Sequence, residues 1–463
     1  RPPVAAGEHM NAGQDRLPSG REPFRPAWAL AGVGLLVVCL LLRSWPSLTR
    51  PGLFVEDAVL FSHYYGHTRP VSDIFASHIG QRYLTVVADF FAWAWAWADV
   101  RWQPWLYQWT GLVLAVASVA TVSFSGLVRN RVLLLVCPLA LGLTGLNHLY
   151  YYNTLIYTMY TGVLMLLALL FYPPPQSVRS FVVQALLLAL LPWSGPYSLL
   201  ALPAALFLFV CTANRTRRVL LAVTVLSTLA YFATVSGSTV QLVNLLRPWI
   251  LVQYLQTVFD KIFFFDFTRH LPMWYGFLLL LAIAAVSWLL RRDREYLLQA
   301  AVMLGLVFAS ILLFFLSVKL GQYITTSDCH RVVASFFWML FLVVTVDRLL
   351  GDRPLHSPWP LVCAGLLLTL VVFDNRRHPH KGWVPPVSGL AAYLETIRFY
   401  EQQGLGEKKQ AVCLQLPSGR PMQPRVLVGY RGADARLLLP MDAEIVRGRR
   451  FVCRRYTFNE ERL

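Results

Sequence analysis

Charged residues are scarce in this chain of 463 residues, where Asp, Glu, Lys and Arg make up 14% and hydrophobic residues 56%. Soluble globular domains usually carry about 25% charged residues. This scarcity and the many separate apolar runs of about 17–22 residues predict a polytopic α-helical membrane protein. A large soluble core is disfavoured, because arginine clusters interrupt the runs at regular intervals.

Metal-type cysteine patterns and internal repeats are also missing. None of the seven cysteines has the spacing of a zinc site. Cys413 and Cys453 lie in the polar C-terminal tail and would form one disulfide if that tail faces an oxidising compartment. No small-residue cleavage site follows the first apolar run, which we therefore interpret as a retained anchor.

Basic residues outnumber acidic ones, giving a net charge of +17. In a soluble protein this excess would indicate nucleic-acid binding. Here the arginines lie mostly between apolar runs, where they orient membrane helices with their flanking loops in the cytoplasm. Most of the positive charge is therefore explained by membrane topology. The remaining basic residues are available to bind anionic lipid or a phosphate-bearing substrate.

Eleven membrane spans are predicted, joined by arginine-rich turns on one side. The predicted spans are 27–43, 104–126, 132–148, 155–172, 181–192, 198–212, 219–235, 273–290, 297–318, 332–349 and 361–374. Arginine clusters at 129/131, 215–218, 291–294 and 348/353 mark the cytoplasmic turns. Residues 27–374 would thus form one transmembrane domain, preceded by a disordered cytoplasmic N-terminus, 1–26.

The stretch 83–98 is apolar, but we do not count it as a span. Counting it would move every later arginine cluster to the outside. Its three tryptophans suit the headgroup layer, and Asp89 would be costly at the middle of a bilayer. We therefore predict an interfacial helix within a large first external loop, 43–103.

Three other regions carry specific expectations. The short spans 181–192 and 198–212 predict a helix pair that turns within the membrane below a water-filled cavity, the alternative being one long helix kinked by two prolines. Residues 236–272 predict amphipathic helices on the outer face. The soluble tail, 375–463, predicts a small α+β appendage outside the membrane, although the basic residues at 376–381 favour the inside.

An acidic pair, Glu56 and Asp57, follows the first span and is the leading candidate for chemistry. Carboxylates at a hydrocarbon boundary are costly unless they are used. At the rim of a lipid-accessible cavity, such a group can act as general base towards an acceptor hydroxyl. The alternative is that Asp57 caps a helix, 58–65, while Glu56 is solvated.

Further candidates lie in polar loops on the same predicted side. Arg331, at the mouth of a span, can hold a lipid-borne phosphate by bidentate bonds, or it can be a snorkelling interfacial residue. A group rich in tyrosine and asparagine suits a sugar ring, although an aromatic belt explains its tyrosines equally well. The remaining candidates are His330 and Arg82 for phosphate, and His78, Tyr150, Tyr151, Asn153 and Trp193 for sugar or acceptor.

Taken together, the layout resembles the GT-C superfamily of integral membrane glycosyltransferases over roughly residues 27–374. Glu56-Asp57 matches the acidic motif of the first external loop, and 83–98 matches its juxtamembrane helix. Arg331 matches the late-loop arginine that meets the donor phosphate. The chain has neither a WWDYG-type motif nor a His-Pro-Pro stretch before the juxtamembrane helix, so no subfamily is indicated.

The resemblance implies transfer of a sugar from a polyprenyl-phosphate donor to a glycan, lipid or protein acceptor on the outer face. Asp57 or Glu56 would deprotonate the acceptor, and Arg331 with Arg82 would stabilise the departing phosphate. No metal or other cofactor is required, although some members use a divalent metal. A bacterial inner membrane with a periplasmic active site is the expected location.

Three alternatives stay open. A transporter or flippase of lipid-linked glycans favours acids and breaks inside spans, often in repeated halves. An enzyme similar to O-antigen polymerases or ligases would rely on arginines in periplasmic loops. A noncatalytic membrane scaffold would leave Glu56 and Asp57 unexplained.

Overall fold

The structure is a computed structural model. It describes residues 26–49, 57, 60, 64, 70–75, 84–99, 102–144, 154–155, 157–235, 248–264, 274–317, 331–351, 357–377, 411–415, 425–429, 438–440, 445–446 and 449–454. The helices are α1 (Pro26–Thr49), α2 (Val86–Trp95), α3 (Gln103–Ser123), α4 (Arg131–Leu143), α5 (Thr158–Leu169), α6 (Val178–Leu190), α7 (Ala201–Cys211), α8 (Arg215–Thr234), α9 (Pro248–Gln256), α10 (Trp274–Leu289), α11 (Arg294–Ser317), α12 (Val332–Leu350) and α13 (Pro358–Arg377).

Every predicted span coincides with one of these helices, but the helices differ in length. Within the described residues, 5 are long and apolar enough to cross a membrane: Pro26–Trp45, Gln103–Ser123, Arg215–Thr234, Arg294–Leu313 and Val332–Leu350. The other apolar helices are shorter, such as α4 with 13 residues. The membrane class predicted from composition is confirmed to this extent.

One end of the bundle is held together by polar contacts. Asp347, in the last turn of α12, accepts hydrogen bonds from the backbone N–H groups of Arg129 and Asn130 at 3.0 and 2.8 Å. Asn130 also caps the start of α4 with its side chain. Arg348 lies 3.8 Å from carboxylate oxygens of Asp293 and of Glu295, at the start of α11. We call this the Arg348 end.

The same end gathers two further helix termini. Arg217, at the start of α8, donates to the carbonyl of Leu170, just after α5, at 3.0 Å. Arg217 also interacts electrostatically with Glu295. The arginine clusters near 129, 217, 293 and 348 therefore lie at one end, as the predicted alternation of loops requires.

Helix α1 runs parallel to α4 in close contact. A Cβ added at Gly32 would lie 2.6 Å from the carbonyl oxygen of Leu135, and one added at Gly142 would lie 2.5 Å from Leu36. Pro138 lies inside α4 and has no N–H for the carbonyl of Leu134. Gly32 therefore packs against the turn of α4 that lacks this hydrogen bond. Because α1 and α4 run parallel and α4 begins at the Arg348 end, α1 ends at the opposite end of the bundle.

The segment between α6 and α7 is broken, as the sequence predicted. Two short 3₁₀ helices, Leu191–Ser194 and Pro196–Leu200, meet at Gly195, which has a φ of 153°. A Cβ there would lie 2.7 Å from Met159 in the first turn of α5. Since α6 and α7 both join neighbours at the Arg348 end, they form a hairpin. Its apex, residues 191–200, is named the Trp193 turn.

Helix α2 does not cross the bundle. With 10 residues it is about 15 Å long, half of a hydrocarbon core. Trp95 donates to the hydroxyl of Thr110, in the second turn of α3, at 2.9 Å. Helix α3 starts, and α1 ends, away from the Arg348 end, so the chain between them makes no net crossing.

Residues 248–263 pack into the bundle and do not simply lie on its face. Helix α9 continues as a π-helix, Thr257–Phe263, whose Val258, Phe259, Ile262 and Phe263 are buried. The Phe263 ring lies 4.4 Å from that of Trp338 in α12. The predicted outer amphipathic segment is therefore clamped between α10, α11 and α12.

The described part of the tail is a sheet. Its strands are β1 (Ala411–Gln415), β2 (Arg425–Gly429), β3 (Leu438–Pro440), β4 (Ile445–Val446) and β5 (Arg449–Arg454), in the order β3-β2-β1-β5-β4. Strand β1 pairs parallel with β5, with Cys413 opposite Cys453. The predicted helix at 393–403 lies outside the described residues.

Candidate functional site

Asp57 lies deep in the protein at the end opposite to Arg348. Its side chain is 1% exposed, and its Oδ2 accepts a hydrogen bond from the backbone N–H of Leu155 at 3.1 Å. Leu155 is also buried, and α5 begins three residues later. The sequence predicted an accessible carboxylate at a rim, and the structure instead places it within packed protein. We call this the Asp57 end.

Asp57 is itself in a helical conformation. Leu60 and Tyr64 are helical too, and both are buried. Spacings of three and four residues place all three side chains on one side of a helix. Because Asp57 is itself helical and its Oδ2 reaches a residue 98 positions away, its role extends beyond a local helix cap. These three residues are named the Asp57 segment.

A second buried carboxylate, Asp89 of α2, lies against this segment. Its Oδ1 accepts from the Tyr64 hydroxyl at 3.0 Å, and its Oδ2 accepts from the Thr85 hydroxyl at 2.8 Å. Asp89 is 2% exposed, and burial raises the pKa of its carboxyl to about 7 although both hydroxyls act to lower it. Burial, with the charge of Asp89, also raises the pKa of the Tyr64 hydroxyl.

Trp193 stands in the turn between α6 and α7, at the Asp57 end. Its ring meets those of Phe75 and Tyr231 edge to face, at 6.0 Å in both cases. Its Nε1 donates to the hydroxyl of Ser227 in α8 at 3.1 Å. Phe75 belongs to the short 3₁₀ helix Val71–Phe75 of the first predicted external loop, so that loop contacts the turn.

Small residues let the Trp193 turn pack tightly on α5. A Cβ added at Gly162 would lie 2.8 Å from the Ser194 hydroxyl oxygen, and the Tyr197 ring lies 5.3 Å from that of Tyr160. Trp193 is half-buried, whereas Ser194 is fully buried. The Trp193 turn therefore packs on the first turns of α5, the helix that begins three residues after Leu155.

Arg331 directly precedes α12 and is half-buried. Because α12 ends at the Arg348 end, Arg331 lies at the Asp57 end. The structure thus brings Asp57, Trp193 and Arg331 to one end of the bundle. The other predicted site residues lie outside the described residues: Glu56, His78, Arg82, Tyr150, Tyr151, Asn153 and His330.

Sequence reasoning missed Tyr64, Thr85 and Asp89 as members of the site. The available signal was Asp89 itself, an acid inside the apolar run 83–98. We used that acid to reject a membrane span, but a buried acid also indicates a functional network.

The arrangement suits proton transfer and positioning by protein groups. Within the part of the chain that is described, no group of three His, Cys, Asp or Glu residues is placed to hold a metal ion. The chain matches no protein-family model, no curated protein and no solved structure.

Proposed function

We propose that this protein is a membrane glycosyltransferase similar to the GT-C superfamily, which transfers a sugar from a polyprenyl-phosphate donor to an acceptor glycan, lipid or protein. One observation carries the proposal. A buried carboxylate, Asp57, follows the first long apolar helix and accepts a hydrogen bond from Leu155, just before α5. A buried acid in this position is costly, which favours a functional use.

In the proposed reaction, the acceptor hydroxyl attacks the anomeric carbon of the donor sugar. Glu56 or Asp57 takes the hydroxyl proton, and the bond from the sugar to the lipid phosphate breaks. Because Asp57 is 1% exposed, an acceptor that reaches it must replace part of its packing around Leu155. Closure around the acceptor would exclude water, which otherwise competes as the attacking group.

Arg331 is proposed to hold the lipid phosphate as it leaves. A guanidinium can bond two phosphate oxygens at once and neutralise the negative charge that develops on them. Its place at the start of α12 favours this role, since this end of the bundle also carries Asp57. His330 and Arg82 are proposed as further phosphate contacts.

The sugar and the acceptor are proposed to bind near the Trp193 turn. The Trp193 ring is half-buried and is fixed by the Ser227 hydrogen bond and by two neighbouring rings. A fixed aromatic face suits the C–H groups of a sugar ring. His78, Tyr150, Tyr151 and Asn153 are proposed to contact its hydroxyls.

The proposal includes a topology of about eleven spans within residues 27–374, in a bacterial inner membrane. The gathering of the arginine clusters at the Arg348 end supports a cytoplasmic placement of that end. The Asp57 end, with its external loops 43–103 and 236–272, would then face the periplasm. The N-terminal residues 1–26 would be cytoplasmic.

The tail, 375–463, is proposed as a periplasmic α+β domain. Cys413 and Cys453 are opposite each other on the neighbouring parallel strands β1 and β5, which supports the predicted disulfide. Non-reducing peptide mapping of protein from untreated cells should recover one linked peptide pair. Recovery of both cysteines as free thiols would contradict the oxidising location.

The proposed function is tested by measuring sugar transfer by the purified protein in lipid. Polyprenyl-phosphate sugars and polyprenyl-diphosphate glycans are supplied as donors. We expect transfer from the monophosphate, reduced 10²–10⁴-fold in Asp57→Asn, the range typical of a lost general base. Glu56→Gln should impair transfer too. Arg331→Ala should weaken donor use, and Arg331→Lys should restore only part of it, because an ammonium cannot bond bidentately.

Three outcomes contradict the proposal. Full activity in both Asp57→Asn and Glu56→Gln would remove the proposed base. Growth of a glycan from diphosphate donors, without use of the monophosphate, would favour the polymerase. Movement of intact lipid-linked glycan across the bilayer would favour the transporter.

A further inference from the structure

Two contacts anchor the Asp57 segment at opposite ends. At one end, Asp57 accepts from the Leu155 N–H, which ties the segment to the start of α5. Seven residues later, the Tyr64 hydroxyl donates to Asp89, which ties the segment to α2. The face between them is closed by Leu60, which is 0% exposed.

Helix α2 is a firm support for the second anchor. The Thr85 hydroxyl, just before α2, donates to Asp89 in the first turn of the helix. At the other end of α2, the Trp95 indole donates to Thr110 of α3. Ala88 and Ala92 bury the side that faces the bundle. Asp89, which is held in place on α2, therefore restrains the Tyr64 hydroxyl that it binds.

We propose that Asp89 is a positioning residue, which clamps the acid-bearing Asp57 segment to α2 through the Tyr64 hydroxyl. This inference rests on the proposed glycosyltransferase function. Asp89 itself does not touch the substrate. It acts by holding the carboxylate of the acidic pair at the distance and angle that proton transfer needs.

The expected size of the effect follows from geometry. Catalytic groups must be held within about 0.5 Å of their productive position. A displacement of about 1 Å caused far from the chemistry can cost about 10²-fold in rate. Loss of the clamp should therefore lower kcat by roughly 10–100-fold, with the donor KM changed less than about threefold.

The test compares Tyr64→Phe, Asp89→Leu and the double variant. Tyr64→Phe keeps the ring and removes the donor, while Asp89→Leu keeps a side chain of similar size and removes the acceptor. Because both changes remove the same bond, the double variant should be no worse than the poorer single variant, within about threefold. If each change instead damaged folding independently, the two losses of activity would multiply in the double variant.

A second readout does not depend on sugar transfer. Leu60→Cys, in a chain whose native cysteines are replaced by serine or alanine, reports the exposure of the segment to a thiol reagent. The introduced thiol should be protected in the otherwise unchanged chain. It should label at least about tenfold faster when Tyr64→Phe or Asp89→Leu is added, since a lost anchor frees the segment.

Matched controls are Tyr172→Phe, near the Arg348 end, and Asp99→Asn, at an exposed position after α2. Both should leave kcat and labelling within about twofold of the parent.

Unchanged kcat in both single variants, with an active parent protein, would overturn the positioning role. Unchanged labelling of the thiol introduced by Leu60→Cys would overturn the clamp itself. If the parent protein transfers no sugar, the proposed function fails, and the labelling alone then decides whether Asp89 holds the segment.

Discussion

The two ends of the bundle treat their buried acids differently. At the Arg348 end, Asp293 and Glu295 lie within ion-pair distance of a guanidinium. The Asp347 carboxylate accepts from two backbone N–H groups and also has Arg129 and Arg348 as charged neighbours. At the Asp57 end, the donors described for the two buried carboxylates are neutral, a backbone N–H for Asp57 and two hydroxyls for Asp89.

This difference supports the proposed use of Asp57 in chemistry. A carboxylate paired with arginine keeps its charge and holds helices in place. A buried carboxylate with neutral donors keeps a strong affinity for a proton, as the raised pKa of Asp89 shows. The raised pKa of Asp89 supports the proposal that protons are transferred at the Asp57 end.

The largest expected contrast between the ends is all-or-none labelling. Single cysteines at Arg129 and at Phe75, in intact cells, should lie on opposite sides of the membrane, because their neighbours lie at opposite ends of the bundle. A membrane-impermeant thiol reagent should label position 75 and spare position 129. Labelling of position 129 from outside would reverse the proposed orientation.

The same substitution at the two ends should have different consequences. Asp57→Asn should lower transfer 10²–10⁴-fold with little loss of folded protein, because the amide oxygen can still accept from Leu155. Asp347→Asn should leave kcat of the folded protein within about twofold and lower its stability by about 1 kcal/mol, through the lost charge. Kinetics and thermal unfolding of both variants check the comparison.

The pH dependence of stability should reveal Asp89. The folded protein holds this proton more tightly than the unfolded chain, since the pKa rises from 3.8 to about 7. Its stabilising contribution is complete below pH 3.8 and is lost as the pH rises through about 7. From pH 5 to 8 the parent should lose roughly 2–3 kcal/mol more stability than Asp89→Asn. Parallel curves for the two proteins would contradict the assignment.

The smallest expected effect belongs to the paired charges. Arg348→Ala removes contacts with Asp293 and Glu295 and a hydrogen bond to Gln299 at 3.2 Å. We expect a loss of about 1–2 kcal/mol in unfolding free energy, limited because Glu295 is 49% exposed. Arg292→Ala, at an exposed position of the same end, is the control and should change stability by less than about 0.5 kcal/mol. An equal loss in both variants would show that the pairing itself contributes nothing.

Apolar runs and arginine clusters were sufficient to predict where the helices lie and which termini share an end. Both signals are local, since one run makes one helix and each cluster marks a turn. The broken hairpin at Gly195 was also predictable, because Pro192 and Pro196 flank it. The lengths of the apolar runs did not distinguish the long helices from short ones such as α4.

The interior of the site was not predictable in the same way. Asp57 meets a residue 98 positions away, and Tyr64 meets Asp89 at a distance of 25 positions. Such contacts depend on how α2 returns over the bundle, which no local pattern encodes. The π-helix at 257–263 was missed for the same reason, because its aromatic side chains pack against three distant helices.

The glycine contacts between α1 and α4 also bear on how the chain is assembled. About a hundred residues separate Gly32 from the turn of α4 that it meets. At a synthesis rate of roughly 5–20 residues per second, α1 waits about 5–20 s in the bilayer before its partner is made. Lipid supplies no hydrophobic drive to close this gap, so recognition falls to shape. A larger side chain at Gly32 should thus act during biogenesis, by preventing α1 from packing against α4.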